Sequence, residues 1–475
     1  MPEHDRETDV AVIGGGPAGY VAAIRASQQD LDVTLVERER VGGSCLNHGC
    51  IPSKALISAT DLAHRVREAN RMGIDGDPTV DMAGVVRWKD RIVTRLTKGV
   101  EALCSGNDVE LIAGTGTFRD EETLMIEPVD EGDSITLAFE HAIIATGSRP
   151  VELPHLPFAT ESVWDSRQAL AASSAPDRLA VIGAGYIGME LAGVFSKAGS
   201  DVTVIELLDA VLPQYDAELT EPVADRAADL GIEFRLGERV VGFDRLEDGS
   251  LILELATAAG DGADPQPADA VLVAVGREPV SDTVKLGTTG IEPADDGTVP
   301  TDRTGETDVS GIYAVGDVTG DPMLAHVGMT EGIAASEAIA GVSDGFGHAA
   351  IPEVVFTDPE IAIVGQTAAE AEAAGREPLV GEFPLRASGR AMTMNQTDGF
   401  VRVVADEETE RVLGGAVVGA EASELIGELG LAVELEATLP EVAGTIHAHP
   451  TLAEGIVEAC ELALGQPIHF LDRRA

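Results

Sequence analysis

The sequence predicts an α/β protein built from two doubly wound halves and a third, α+β domain. Three observations carry this. A unit of strand, glycine turn, helix and strand occurs near the N-terminus and again after residue 178. Gly is abundant, at 53 of 475 residues with 44% hydrophobic content, which suits many tight turns between buried strands. After residue 350 the pattern changes to alternating strands followed by helices. A chain of this length is also too long for one ordinary core.

The first unit reads VAVIGGGPAGYVAAIRASQ: an apolar strand, then Gly14, Gly16 and Gly19, then an alanine-rich helix. Its second strand, VTLVE, ends at Glu37. The later unit reads LAVIGAGYIGMELAGVFSKAG, with Gly183, Gly185 and Gly188, and its strand VTVIE ends at Glu206. In both, the acid stands 23 residues beyond the first glycine. The first glycine permits the tight turn. The second lets a backbone approach a pyrophosphate, and the third lets helix and strand pack closely. The helix N-terminus supplies N–H donors, and the acid reaches ribose hydroxyls. One G-x-G-x-x-G is a weak signal; two copies with strand, helix and acid in register are a strong one.

Residues 55–110 read as largely helical. HAIIATGSRP (141–150) is an apolar strand ending in a turn at Gly147, and TGETDVSGIYAVGDVTG holds another ending at Gly316–Asp317. An Asp at a strand end can accept hydrogen bonds from a polyol such as the ribitol of a flavin. With the N-terminal loop, these segments outline an FAD-binding domain split into 1–150 and 277–345. The interrupting residues 151–276 hold the second loop and form an NAD-binding domain. Glu206 decides for NAD over NADP, because a 2′-phosphate charge ~4 Å from a carboxylate costs roughly 4 kcal/mol at an effective dielectric of 20. Leu207, Leu208 and Asp209 follow, with no arginine to receive a phosphate. AAGDGADPQPAD (258–269) reads as a hairpin loop and VSDGFGHAA (342–350) as a boundary. Residues 346–475 form the C-terminal domain, with strands in VVFTDPEIAIVG, GFVRVVAD and RVLGGAVVGA.

GGSCLNHGCIPSK places Cys45 and Cys50 eight and thirteen residues past Glu37, near the first dinucleotide. Residues five apart on a regular helix rise about 7.5 Å, and a disulfide tolerates Cα separations only up to about 7 Å. A bridge therefore needs a bent turn, which Gly42, Gly43 and Gly49 supply, and a strained, partly exposed bridge is a reducible one. C-x4-C is also a zinc spacing, but zinc needs two more ligands. His48 cannot readily fold back onto its flanking cysteines, and Cys104 and Cys460 are isolated, so no metal site is expected. Two unrelated thiols are the other alternative. A redox disulfide requires a proton handler, since the attacking species is a thiolate. HAHPTLAE offers His449, with Glu454 five residues on to orient it; His447 is the competing base. Thr451 to Glu454 also matches a capping box, a role that can coexist with orienting His449.

Thirty-two basic residues against 82 acidic ones give a net charge of −50. Only five of the basic residues are lysine. Such a surface argues against nucleic-acid or anionic-membrane partners and reads as adaptation to high salt, where counter-ions screen self-repulsion. The polar N-terminus MPEHDRETDV is no signal peptide, and no apolar run is long enough to span a bilayer, so a cytoplasmic protein is expected.

Together, GGSCLNHGCIPSK, AVGDVTGDPMLAH and HAHPTLAE resemble the flavin-dependent pyridine nucleotide–disulfide oxidoreductases, almost end to end. HAHPTLAE is more similar to the dihydrolipoamide enzymes of that family than to its glutathione reductases, and FLDRRA lacks the cysteine pair of its mercuric reductases. The resemblance implies two Rossmann-like domains, for FAD and NAD, plus a C-terminal dimerisation domain. It implies that dihydrolipoamide or a lipoyl domain is oxidised with NAD, within 2-oxoacid dehydrogenase-type complexes. Cys45 would exchange with substrate and Cys50 would face the flavin, with Lys54 near its reactive nitrogen and possible partner Glu190. Glu37 and Gly116 would hold the adenosine part of FAD, Gly147 its glycine turn, and Asp317 and Ala325 its ribitol and ring. NAD would lie on Gly183 to Ile187, Gly188, Glu190, Glu206, Val240, Ala274, Gly276 and Arg277. The family forms homodimers with shared active sites, His449 reaching the other subunit's disulfide. HVGMTEG departs from the more charged family run after PMLA and bears on packing near the flavin ring. Alternatives are an NADH-dependent reductase of another small disulfide and a non-catalytic FAD-binding scaffold or redox sensor.

Overall fold

The computed structural model describes residues 5–130, 132–343 and 345–471. Its backbone divides into two units, Met1–Ala175 with Val273–Gly347 and Pro176–Leu272 with His348–Ala475. The unit boundary at Gly347 falls within the segment VSDGFGHAA. Residues 151–175 and 273–276 belong to the first unit.

In the first unit, the fully buried run Val10–Val12 makes strand Arg6–Ile13 the centre of the parallel part of a mixed sheet, in which Thr123–Pro128 alone runs antiparallel to its neighbours among the described strands. Val33–Glu37 lies on one side of it, pairing Val12 with Leu35. Ile135–Ile144 lies on the other, pairing Ala11 with Ala142, and Ile312–Ala314 adds beyond that. Strands Glu110–Asp120 and Thr123–Pro128 complete the sheet. Helix Pro17–Ser27 starts with proline at its first turn, where a missing N–H costs nothing. It packs on helix Ala325–Ile339 so closely that a Cβ at Gly332 would lie 2.5 Å from the Ala18 carbonyl oxygen. The helical reading of 55–110 resolves into Cys50–Glu68 and Met82–Gly106.

In the second unit, Glu233–Leu236, Asp201–Glu206, Arg178–Ile182 and Ala270–Val273 lie side by side in that order. Helix Tyr186–Ala198 follows the glycine turn and ends at Gly199 with φ +107°, the left-handed stop that glycine allows. The segment read as a hairpin loop is different: Gly262–Ala268 is a strand, the outer member of an antiparallel sheet with Leu251–Thr257 and Glu238–Arg245. Its Pro265 and Pro267 suggested a loop. An outer strand accepts proline because one row of its N–H groups has no ladder partner to serve.

The C-terminal part of this unit is a five-stranded antiparallel sheet ordered Glu353–Val355, Glu360–Gly365, Val412–Gly419, Phe400–Asp406, Pro378–Pro384. Pro378–Pro384 carried no strand reading because prolines bound it and Gly381 interrupts it. The glycine has a packing reason: its Cβ would sit 1.9 Å from the Ala459 carbonyl oxygen on helix Glu454–Ala463. No helix among the described residues is long and apolar enough to cross a membrane.

Candidate functional site

The two glycine turns are built alike. Gly14 and Gly183 have φ +105° and +103°, a conformation side chains rarely adopt. A Cβ at Gly19 would fall 1.8 Å from the Gly14 carbonyl oxygen, and one at Gly188 2.1 Å from that of Gly183, so both positions exist for helix–strand contact. A Cβ at Gly16 or Gly185 would meet nothing within 4 Å, leaving bare backbone open at each helix start.

The acids do more than wait for a ligand. Glu37 accepts the Gly15 N–H at 2.6 Å through one oxygen and the Glu39 N–H at 2.7 Å through the other. Glu206 repeats this with Ala184 at 2.8 Å and Leu208 at 2.9 Å. Each carboxylate thus fixes its own loop and keeps a lone pair on each oxygen for a ribose hydroxyl. Leu207 and Leu208 beside Glu206 are about half exposed, at 48% and 52%.

Around the first turn the structure gathers what the sequence scattered. Gly42 donates its N–H to the Gly15 carbonyl at 2.7 Å, and a Cβ at Gly43 would lie 2.5 Å from the Gly16 Cα. The cysteine segment therefore stands directly on the glycine loop. Cys45 lies in helix Gly43–His48, and Cys50 opens helix Cys50–Glu68. Between them Gly49 breaks the helix at φ −136°, ψ −108°, the bend that the spacing argument requires. A Cβ at Gly49 would be 3.1 Å from the Ser44 carbonyl oxygen. Cys45 is half-buried and Cys50 is exposed. The hydrogen bond with Cys50, then burial, pushes the Cys45 thiol far above its ordinary range, while the charge of Lys54, one turn beyond Cys50, opposes this. His48 turns to Glu39 at 3.3 Å, and Glu39 also holds Arg167. No group of His, Cys, Asp and Glu suited to a metal ion occurs among the described residues.

Asp317, in the turn after strand Ile312–Ala314, accepts a hydrogen bond from the Ser148 hydroxyl. The Gly316 N–H is held by Glu331 at 2.7 Å, on the helix that Ala325 begins. Gly147 has φ +71°, and Gly116 lies on strand Glu110–Asp120 against Ile13 and Val36. Neither Ser148 nor Thr146 was singled out from the sequence, although both sit in the turn after a buried strand, where the Asp317 reasoning applies equally. The Thr146 hydroxyl is buried without a protein partner.

Ala274, Gly276 and Arg277 belong to the first unit. There Arg277 opens a short strand and donates to the Ser148 hydroxyl and carbonyl, both at 2.8 Å. Glu190 is buried, and its carboxylate accepts the Phe356 N–H at 3.0 Å. Val240 is buried at a bulge in strand Glu238–Arg245.

The two candidate bases differ sharply. His447 has one ring nitrogen 2.9 Å from the Thr445 carbonyl oxygen and the other 2.6 Å from Glu428. Burial disfavours its charge, but the carbonyl and carboxylate outweigh burial and raise its pKa. His449 is 82% exposed, and its Nδ1 lies 2.8 Å from Glu454, its one partner among the described residues. The other Glu454 oxygen accepts the Thr451 N–H at 2.8 Å, which with the His449 contact holds that carboxyl below its usual range. The capping box forms only by half: the Thr451 hydroxyl donates to the Ala448 carbonyl, and the helix starts at Glu454 without a side-chain cap.

Residues 8–332 match the pyridine nucleotide-disulphide oxidoreductase family, and 351–460 match that family's dimerisation domain. The chain belongs to this family. As a pyridine nucleotide-disulphide oxidoreductase it is 53% identical over 464 residues to dihydrolipoyl dehydrogenase 2 of Haloarcula marismortui, covering 97% of this chain and 98% of the relative. It is 54% identical over 469 residues to dihydrolipoyl dehydrogenase of Haloferax volcanii, with 98% of each covered. The crystal structure of LpdA from Mycobacterium tuberculosis superposes with a TM-score of 0.89 at 28% identity, over 96% of this chain and 99% of that one. The oxidoreductase uses FAD and NAD, and the glycine loops of both units fit a dinucleotide. The open backbone at Gly16 and Gly185 suits two pyrophosphates, and the orphaned Thr146 hydroxyl in the first unit suits a polar ligand.

Proposed function

We propose that this chain oxidises dihydrolipoamide, free or on a lipoyl domain, to lipoamide with reduction of NAD, in the cytoplasm and within 2-oxoacid dehydrogenase-type complexes. The observation that carries the reading is the Cys45–Cys50 pair standing on the glycine loop of the first unit; the names of the relatives point to the substrate. FAD would be held by 1–150 with 277–345, through Gly14, Gly16, Gly19, Glu37, Lys54, Gly116, Gly147, Asp317 and Ala325. NAD would be held by 151–276, through Gly183, Gly185, Gly188, Glu190, Glu206, Val240, Ala274 and Gly276, with Arg277 next to them in sequence. Residues 346–475 would form the two-fold interface of a homodimer, in which His449 of one subunit serves the cysteines of the other.

Glu454 holds His449 with its proton on Nδ1, so Nε2 is the base that takes a proton from the substrate thiol. The substrate thiolate attacks the Cys45 sulfur of the oxidised pair, forming a mixed disulfide as Cys50 leaves as a thiolate. The second substrate sulfur then displaces Cys45, closing the lipoamide disulfide. Two electrons now rest on the cysteine pair, and Lys54 helps stabilise its negative charge. Bound FAD supplies the route by which they reach NAD as a hydride. His447, with both ring nitrogens occupied, supports the backbone beside His449.

Anaerobic dihydrolipoamide should bleach the flavin of the purified protein, and NAD should restore it. Bleaching only by other thiols would indicate a reductase of another small disulfide, and no bleaching a scaffold. His449→Gln should slow dihydrolipoamide oxidation by about 10²–10⁴-fold at unchanged FAD content. A mild effect there, with His447→Gln severe, would reverse the assignment. The shared site has its own test. Cys50→Ala and His449→Gln homodimers should be nearly inactive, yet refolding them together at equal concentration should restore roughly a quarter of wild-type activity, since about half the dimers then carry one intact site. A dead mixture containing confirmed heterodimers would rule the shared site out.

A further inference from the structure

Between the two cysteines lies a side chain that neither the spacing argument nor the mechanism uses. Asn47 is buried at 8% exposure on the six-residue helix that carries Cys45. Its amide nitrogen donates to the carbonyls of Gly43 at 3.0 Å and Val41 at 3.1 Å, with Arg40 more distant at 3.4 Å. Its oxygen accepts the hydroxyl proton of Thr97 at 3.1 Å. Thr97 is itself buried, on helix Met82–Gly106. Three carbonyls around the nitrogen settle which way the amide points, because the flipped form would face them with an oxygen.

This contact ties together three parts of the first unit. Gly43 abuts Gly16 of the dinucleotide loop, Cys45 follows two residues later, and Thr97 belongs to helix Met82–Gly106, which also packs on helix Pro17–Ser27 after the loop. A six-residue helix holds its geometry poorly alone. Here its end is pinned by a saturated, buried amide, and losing it removes the side-chain bonds to Gly43, Val41 and Thr97 in a buried place, where a lost bond costs most. We propose that Asn47, seconded by Thr97, is the positioning residue of the redox pair: it fixes the Cys45 helix against the Gly49 break and thereby sets how readily the disulfide closes. This rests on the reading of Cys45–Cys50 as a redox disulfide.

The test uses the FAD-loaded protein and two readouts. One is the fraction of Cys45–Cys50 reduced in buffers of graded reduced-to-oxidised dithiothreitol, scored by alkylation and mass. The other is kcat against KM for dihydrolipoamide. Asn47→Ala should move the dithiothreitol midpoint ratio by about tenfold or more and lower kcat by about 10–100-fold, with FAD content retained. Thr97→Val removes only the hydroxyl and should shift both in the same direction by less, and Thr97→Ser should restore them. Wild-type midpoint and kcat in Asn47→Ala would overturn the proposal. So would an unshifted midpoint in Thr97→Val, which decides the matter if Asn47→Ala does not fold. Wild-type protein inert to dihydrolipoamide would sink the substrate assignment alone, because the dithiothreitol readout does not depend on it.

Discussion

The two glycine loops share a skeleton and part at one crossing. In each, the acid ending the second strand holds the N–H after the first glycine, and the carbonyl of that same residue accepts an N–H from the segment that follows: Gly42 to Gly15 at 2.7 Å, Leu212 to Ala184 at 2.9 Å. Beyond that crossing they diverge. The first chain turns through Gly43 onto Gly16 and becomes the cysteine helices. The second passes through Leu212 at φ +50°, and a Cβ at its Gly185, like one at Gly16, would meet nothing within 4 Å. One grip on a dinucleotide thus serves two ends. A loop on which the cysteine helices stand suits a cofactor that exchanges electrons with adjoining sulfur, and a loop without them suits one that does not.

The largest expected break in this comparison is at the approach of Gly43 to Gly16. Gly43→Ala places a Cβ 2.5 Å from Gly16 Cα at φ +54°. It should cost about 2–3 kcal/mol in stability and strip FAD, read as a lower melting temperature and a colourless protein. Gly185→Ala, whose Cβ meets no protein atom, should leave melting unchanged and raise KM for NAD about tenfold. Equal effects at the two sites would mean the loops do not differ as described. Next in size, Glu206→Gln should raise the NADP-to-NAD preference about tenfold, part of the roughly 4 kcal/mol repulsion it removes, whereas Glu37→Gln should leave that ratio alone. Wild-type protein using both nucleotides equally would show Glu206 misread. The smallest effect is common to both units. With −50 over the chain, moving from molar to low-millimolar KCl should lower the melting temperature by several degrees, and an unchanged melt would remove the high-salt reading.

What could be read in advance follows a physical line. The glycine loops were legible because each glycine answers to a steric demand at fixed spacing, and the contacts at Gly14, Gly19 and Gly188 have that character. The Gly49 bend followed from helix rise and sulfur reach. Strands Gly262–Ala268 and Pro378–Pro384 were not legible, since proline and glycine weaken the local pattern while tertiary packing supplies the reason they are tolerated. His449 with Glu454 was legible from their five-residue spacing, whereas Glu428, the partner that occupies His447, stands 19 residues away and left no local signal. Asn47 left one faint trace, a residue poorly suited to helix interiors placed inside a six-residue helix.

The prolines of the outer strand have a bearing on how such a protein stays in solution. In dilute buffer, a strongly like-charged surface keeps molecules apart. In concentrated salt that repulsion fades within a few ångströms, while the tendency of exposed strands to recruit one another persists. Pro265 and Pro267 are exposed on Gly262–Ala268 and carry no N–H to offer a passing chain. Steric and hydrogen-bond denial does not weaken with ionic strength, so this edge stays guarded under the conditions in which charge no longer can guard it.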